Sequence, residues 1–235
     1  MHKKYFIIYN GQINSDLGVS IITRPSKPSP NMQYDEKEVP GREGKLYKEK
    51  GYGDIEISVS FNFASKSPGM WDKDFRKIKK WLNSKTDNKL KFSDDLGYFY
   101  RVNKVVIDTP ERALKRLGRF NVTFTCEPYI YLESGQERIS LPQLIYNDFE
   151  ESQPTYFIKG EGFLNLTVNG TTIKANVGQN LIINTKLGLC YREDGILNNI
   201  ALTGHYEDLY LKEGNNTFSF TQGFNIEIEP NWRCI

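Results

Sequence analysis

The chain has 235 residues, 38% of them apolar, 13% aromatic and 26% charged, with 31 Lys/Arg against 29 Asp/Glu for a net charge of +2. This is too hydrophobic for a disordered chain and too polar for a membrane protein, and no apolar run approaches the roughly 18 residues of a spanning helix. The charge is uneven: residues 1–135 hold 24 Lys/Arg and 17 Asp/Glu (net +7), residues 136–235 hold 7 and 12 (net −5), a split that predicts two modules.

The opening Met1-His2-Lys3-Lys4 resembles a signal-peptide start, but the apolar run Tyr5–Tyr9 ends at Asn10-Gly11, too short for an h-region, so no cleaved secretion signal is expected. Lys3–Tyr9 reads as a strand. Pro40–Gly53 is rich in glycine, charge and tyrosine and cannot bury itself. It reads either as an exposed loop or hairpin, or as an arm that gains burial from a neighbouring subunit, anchored by Tyr47 and Tyr52. From Ile55 to Phe63 apolar and polar residues alternate, the period of a half-buried strand. Met70–Asn83 sets Trp71, Phe75, Ile78 and Leu82 on one helical stripe, widened by Trp81. Lys73, Lys77 and Lys80 lie opposite, Ser67 is the expected N-cap and Pro68 the first helical residue. Leu90–Phe92 and Tyr98–Ile107 read as strands joined by a turn at Asp94–Gly97, and Phe120–Cys126 alternates again. One helix against antiparallel strands predicts an α+β arrangement or a small barrel with a helical plug.

A linker is expected from Glu127 to Pro154, punctuated by Pro128 and Pro142. Beyond it, Phe163–Val168 and Thr171–Ala175 flank Asn169-Gly170, a strong hairpin signal because both turn residues need positive φ. Further short strands are expected at Asn180–Asn184, Gly188–Arg192, Asp208–Leu211, Thr217–Thr221 and Phe224–Glu229, with a turn over Lys212–Asn216. Short strands at this spacing predict a β-sandwich.

No catalytic constellation emerges. Cys126, Cys190 and Cys234 form no C-x-x-C, and with only His2 and His205 they build no zinc set; buried thiols in a reducing compartment are expected. G-x-S-x-G, a phosphate loop and H-E-x-x-H are all missing. Acid–base chemistry would rest on His205 alone, and adjacent acids such as Asp94-Asp95 or Glu193-Asp194 point apart on a strand and are solvated on a turn. No enzyme activity, metal or cofactor is expected. The basic helix face reads as solvated rather than as a nucleic-acid site.

In their order and spacing, several segments resemble the distal tail proteins of long-tailed, non-contractile bacteriophages, the siphovirus phage tail family. They are Pro40–Gly44 leading to Gly53-Asp54 and Ile55–Phe63; Phe75–Leu82 followed by Leu90–Asp95 and Tyr98–Val102; Phe120–Tyr129; and Leu211–Asn216 through Ile226–Arg233. The resemblance implies a mainly β chain: residues 1–135 would form a ring-building domain, β-rich with one helix, and residues 136–235 a galectin-like β-sandwich. It further implies a homohexameric ring at the tail tip of the virion, joining the major tail tube protein to the tail-associated hub or fibre protein and to receptor-binding proteins. Neither membrane contact nor direct nucleic-acid recognition is implied, and synthesis would occur in the host cytoplasm. On this reading Arg42, Tyr47, Lys48 and Tyr52 of the arm are subunit-interface residues. Two alternatives are a carbohydrate-binding sandwich acting in host adhesion and a basic DNA-associated protein. With Trp232 the one tryptophan of the C-terminal half, a sugar platform would need Tyr191, Tyr206 or Tyr210.

Overall fold

The computed structural model describes residues 5–84, 86–112 and 114–235. The chain is mainly β, with one α-helix among the described residues. It separates into two compact units, one ending at Ile130 and taking in Ile235, the other Tyr131–Cys234. The division therefore falls at 130/131 rather than at 135/136.

The first unit contains β1 (Ile7–Tyr9), β2 (Gln12–Ile13), β3 (Val19–Ile21), β4 (Met32–Glu38), β5 (Lys45–Tyr52), β6 (Ile55–Ala64), α1 (Trp71–Leu82), β7 (Lys89–Phe92), β8 (Asp95–Ile107) and β9 (Leu117–Leu132). A curled sheet runs in the order β2-β1-β7-β8-β9-β6-β3. The alternation of β6 appears directly in its burial: Ile55, Ile57, Val59, Phe61 and Phe63 are buried, and their neighbours face out or half out. Helix α1 turns Trp71, Phe75, Ile78, Trp81 and Leu82 onto that face. Phe63 stacks on Phe75 at 5.9 Å and meets Trp71 at 5.4 Å, while Phe61 stacks on Phe120 at 5.4 Å. Burying a large aromatic side chain stabilises by about 1.5–3 kcal/mol, so this cluster fixes the helix on the sheet. Asn10 ties the other end down: its amide donates to the carbonyls of Trp81 (2.9 Å) and Ser84 (3.1 Å), and the Trp81 indole donates to the Tyr9 carbonyl at 2.8 Å.

Several boundaries differ from expectation. Pro68 opens a short 3-10 turn over Pro68–Met70, so the α-helix starts at Trp71 and Ser67 makes no side-chain cap. The turn before β8 is only Ser93-Asp94, so Asp95–Gly97 belong to the strand. Pro128 does not end regular structure, because β9 continues through it to Leu132. The last β9 residue paired with β6 is Cys126, so the N–H that proline lacks is not needed for that ladder. His2, Lys3 and Lys4 lie outside the described residues.

The second unit contains β10 (Ile139–Ser140), β11 (Leu144–Asn147), β12 (Thr155–Val168), β13 (Thr171–Asn184), β14 (Leu189–Tyr191), β15 (Leu202–Thr203), β16 (Gly214–Phe220), β17 (Asn225–Glu229) and β18 (Arg233–Cys234). The expected linker is thus itself partly strand, with Pro142 and Pro154 in the gaps. The hairpin β12–β13 is paired throughout, from Thr155↔Asn184 to Val168↔Thr171, across Asn169 (φ 51°) and Gly170 (φ 86°). Asn180–Asn184 is the far end of β13, not a separate strand. At Gly160 (φ 146°), opposite Gln179 (φ 73°), the Phe224 ring occupies the space a Cβ would need. On either side of that point β12 changes partner: Thr155–Lys159 pair with β17, and Leu166–Val168 pair with β16, which also carries β11. One hairpin therefore carries β17 at one end and β16 at the other, over a core that includes Tyr156, Leu164, Leu166, Ile173 and Ile183. Tyr206–Leu209 is a 3-10 turn where a strand over Asp208–Leu211 was expected. The Asp208 carboxylate accepts from the His205 N–H at 3.4 Å, and the Asp208 N–H donates to the His205 carbonyl at 3.3 Å, a local closure that a strand could not make. Gly214–Asn216 likewise belong to β16 rather than to the turn expected over Lys212–Asn216.

Candidate functional site

β4 and β5 pair only with each other, as a two-stranded ribbon that joins neither sheet. From Gln33 to Lys50 every residue except Val39 is exposed, and none of the ribbon enters a hydrophobic core. Such a hairpin buries too little to be more than marginally stable alone. The expected arm is therefore longer than Pro40–Gly53: it includes β4, whose charged sequence Asp35-Glu36-Lys37-Glu38 gives no apolar period to read.

The register Asp35↔Lys48, Glu36↔Tyr47, Lys37↔Leu46 and Glu38↔Lys45 assigns each side chain to a face. One face carries Tyr34, Glu36, Glu38, Lys45, Tyr47 and Glu49; the other carries Asp35, Lys37, Leu46, Lys48 and Lys50. Tyr34 and Tyr47, 49% and 62% exposed, meet edge-to-face at 6.1 Å. Lys45 pairs with Glu36 at 2.6 Å, and Lys50 with Asp35 at 2.9 Å. Hydrogen bonding to Glu36 raises the pKa of Lys45 above its ordinary value. At the base, a bulge between Gln33 and Tyr34 lies beside Gly51 (φ 112°). At the tip, Gly41 and Gly44 have φ of 82° and 76°, and the Arg42 N–H donates to Val39 at 3.1 Å.

The four residues expected at an interface are therefore not one cluster. Arg42 is at the tip, Tyr47 and Lys48 are on opposite faces, and Tyr52 is half-buried at the base, edge-to-face with Tyr129 at 6.1 Å. Tyr52 anchors the ribbon to its own unit. The exposed aromatic partner of Tyr47 is Tyr34, which was legible only as one tyrosine in a polar run.

Elsewhere the unit offers little chemistry. An open cleft of about 920 Å³ beside the end of α1 is lined by Asn83, Asp87, Asn88, Asn103 and Lys104 among others, with Asp87 as its one carboxylate among the described residues. No group of three or more His, Cys, Asp and Glu side chains is placed to hold a metal among the described residues. His205 precedes a 3-10 turn and takes part in it through its backbone N–H and carbonyl. Burial pushes the Cys126 thiol up to about 12 and also raises Cys190, which disfavours both thiolates. In the second unit Tyr206 contacts the Cys190 sulfur at 3.5 Å, and Tyr210 accepts from Gln153 at 3.2 Å. The most exposed aromatic there is Phe163, at 81%.

Residues 12–126 match the family model of the phage tail protein RIFT-related domain. Among curated proteins, none matches the chain by sequence. The fold is similar to that of SPP1 Dit (gp 19.1), whose crystal structure is described as a paradigm of the hub adsorption apparatus in phages infecting Gram-positive bacteria. The TM-score is 0.72 at 14% identity, covering 99% of this chain and 100% of that one. It is also similar to chains of the phage P2 baseplate in its activated conformation. With Ca the TM-score is 0.52 at 9% identity, covering 100% and 99% of the two chains; with Sr it is 0.50 at 11% identity, covering 96% and 97%.

Proposed function

We propose that this chain, which through residues 12–126 belongs to the phage tail protein RIFT-related family, is a structural ring component of the tail tip. Six copies close head to tail through their first units, joining the tail tube protein to the hub or fibre protein, with the second unit a galectin-like sandwich available to receptor-binding proteins. The observation that carries this reading is the arm: an exposed two-stranded ribbon with no packed face among the described residues. A segment built that way gains its burial on another surface. A patch that meets a different patch on the next copy is a heterologous contact, which closes into a ring when the rotation permits. Similarity to baseplate chains supports the same setting. Sedimentation and electron microscopy of the purified chain, alone and with tube or hub proteins, test it: rings are expected, and a monomer that no partner drives into rings overturns it.

A second reading, sugar binding by the sandwich, is favoured by Phe163, which stands beside Asn165 and opposite Asn176 on the outward face of β12–β13. This position replaces the tyrosines expected from the sequence. A glycan array that responds to the wild-type chain and not to Phe163→Ala would support it; no binding to any glycan would remove it.

A further inference from the structure

We propose that the Tyr34–Tyr47 face of the arm seats on the basic face of helix α1 in a second copy of the chain. The inference rests on the ring reading and supplies the surface that the arm grips. It begins with the charges left over after pairing. On the tyrosine face Glu36 is taken by Lys45, while Glu38 and Glu49 have no ion-pair partner among the described residues. The opposite face inverts this: Asp35 is taken by Lys50, leaving Lys37 and Lys48. The ribbon thus presents an aromatic, acidic side and a basic side with a single aliphatic residue, Leu46. Burial favours the side with the two rings, because tyrosine gives area at low entropic cost.

That side needs a basic surface, and the first unit has one. Lys73, Arg76, Lys77 and Lys80 recur at i, i+3, i+4 and i+7, opposite the buried stripe of α1; all are exposed and none has an ion-pair partner among the described residues. The spacings agree. Glu49 is level with Tyr34, so Glu38 and Glu49 lie four strand positions apart, about 13 Å. Lys73 and Lys80 lie seven helical positions apart, about 10 Å, a difference within the reach of lysine side chains. Between the two carboxylates, at the level of Glu36, the Tyr47 ring faces the middle of the row with the Tyr34 ring against it, where Arg76 and Lys77 can lie over them as cation–π partners. Helix and arm belong to the same chain, so each copy offers both halves of the contact, as a head-to-tail ring requires.

Two full-length variants test it. The first carries Glu38→Lys and Glu49→Lys, the second Lys73→Glu and Lys80→Glu. All four positions are exposed, so both are expected to melt with the wild type, which a thermal scan checks. Each alone faces like charges and is expected to associate at least about tenfold more weakly by sedimentation. Mixed in equal amounts they restore both complementary contacts, arm lysine on helix glutamate and arm glutamate on helix lysine, so alternating rings are expected to return. Wild-type rings with either variant unimpaired, or two impaired variants that stay impaired on mixing, overturn the arm–helix contact and leave the ring reading standing. A wild-type chain that forms no rings with any partner overturns the ring reading itself.

Discussion

Removing the arm separates stability from assembly. Gln33 and Gly51 are paired across the base of the ribbon, so Tyr34–Lys50 can be replaced by a two-glycine connection without moving either end. No residue of the deleted stretch belongs to a core cluster, and all but Val39 are exposed. Substitutions of exposed residues away from special features change stability by about 0.5 kcal/mol, so the melting temperature should move by no more than about 2–4 °C. The Tyr52–Tyr129 contact at the base is kept. Assembly should respond very differently. If Tyr34 and Tyr47 each act as an anchor worth about 2 kcal/mol, their loss weakens every contact by about 4 kcal/mol, roughly a thousandfold. Analytical ultracentrifugation over a concentration series reads the second effect and a thermal scan the first. Rings that persist after the deletion, or a deleted chain that no longer folds, would refute the reasoning: the first because the arm is not the connector, the second because it belongs to the core.

Other consequences concern the two cores. A Cβ on Gly118 would lie 2.3 Å from the Phe63 ring, which Trp71 and Phe75 hold in place, so Gly118→Ala should cost about 1–3 kcal/mol in a denaturant titration; an unchanged midpoint would mean that the ring has room. The Tyr156 hydroxyl donates to the Leu209 carbonyl at 2.8 Å in a fully buried site, so Tyr156→Phe should cost about 1–2 kcal/mol and not change ring formation. Burial raises Cys126 from 9.0 to about 12, so the fold binds the neutral thiol more tightly than the unfolded chain does. Its contribution is complete below pH 9 and declines as pH rises towards 12, by about 1.4 kcal/mol per unit. Urea midpoints between pH 8 and 10.5 should therefore fall less steeply for Cys126→Ala than for the wild type; equal slopes would show that the thiol is hydrated.

The sequence disclosed those elements whose burial is one-sided. The stripe of α1 and the alternation of Ile55–Phe63 and Phe120–Cys126 are legible because each lays one face on a core and the other in water. Asn169-Gly170 is legible because positive φ restricts residue choice. Where that logic fails, so does the reading. β9 keeps its backbone extended through Tyr129-Ile130-Tyr131-Leu132, but burial no longer alternates there, and the chain passes from one unit to the next along a single strand. β4 has no buried face, so nothing in Gln33–Glu38 marks it as strand; only pairing with β5 does. Asp208–Leu211 reads as a strand, but its first two residues end a 3-10 turn over Tyr206–Leu209 in which the Asp208 carboxylate accepts from the His205 N–H. Tyr47 and Tyr52 look equivalent in sequence, and the difference between the exposed Tyr47 and the half-buried Tyr52 is set by Tyr129, far away along the chain.

The charges of the arm also answer a problem that the arm creates. A two-stranded ribbon has two open edges, each a row of unpaired N–H and C=O groups ready to add a strand from any chain. Lysines and glutamates on both faces make that addition unfavourable unless the incoming surface has the matching pattern. A hydrophobic ribbon would bind a neighbour more strongly, but it would bind other ribbons as well. With Lys45–Glu36 and Lys50–Asp35 paired within the ribbon, the remaining charges are few and differ between the faces, so they discriminate one orientation from the other. If the arm connects copies of a ring, the same side chains that keep the free chain from indiscriminate pairing also give the contact its direction. A directed head-to-tail contact of that kind closes into a ring where the rotation between copies permits.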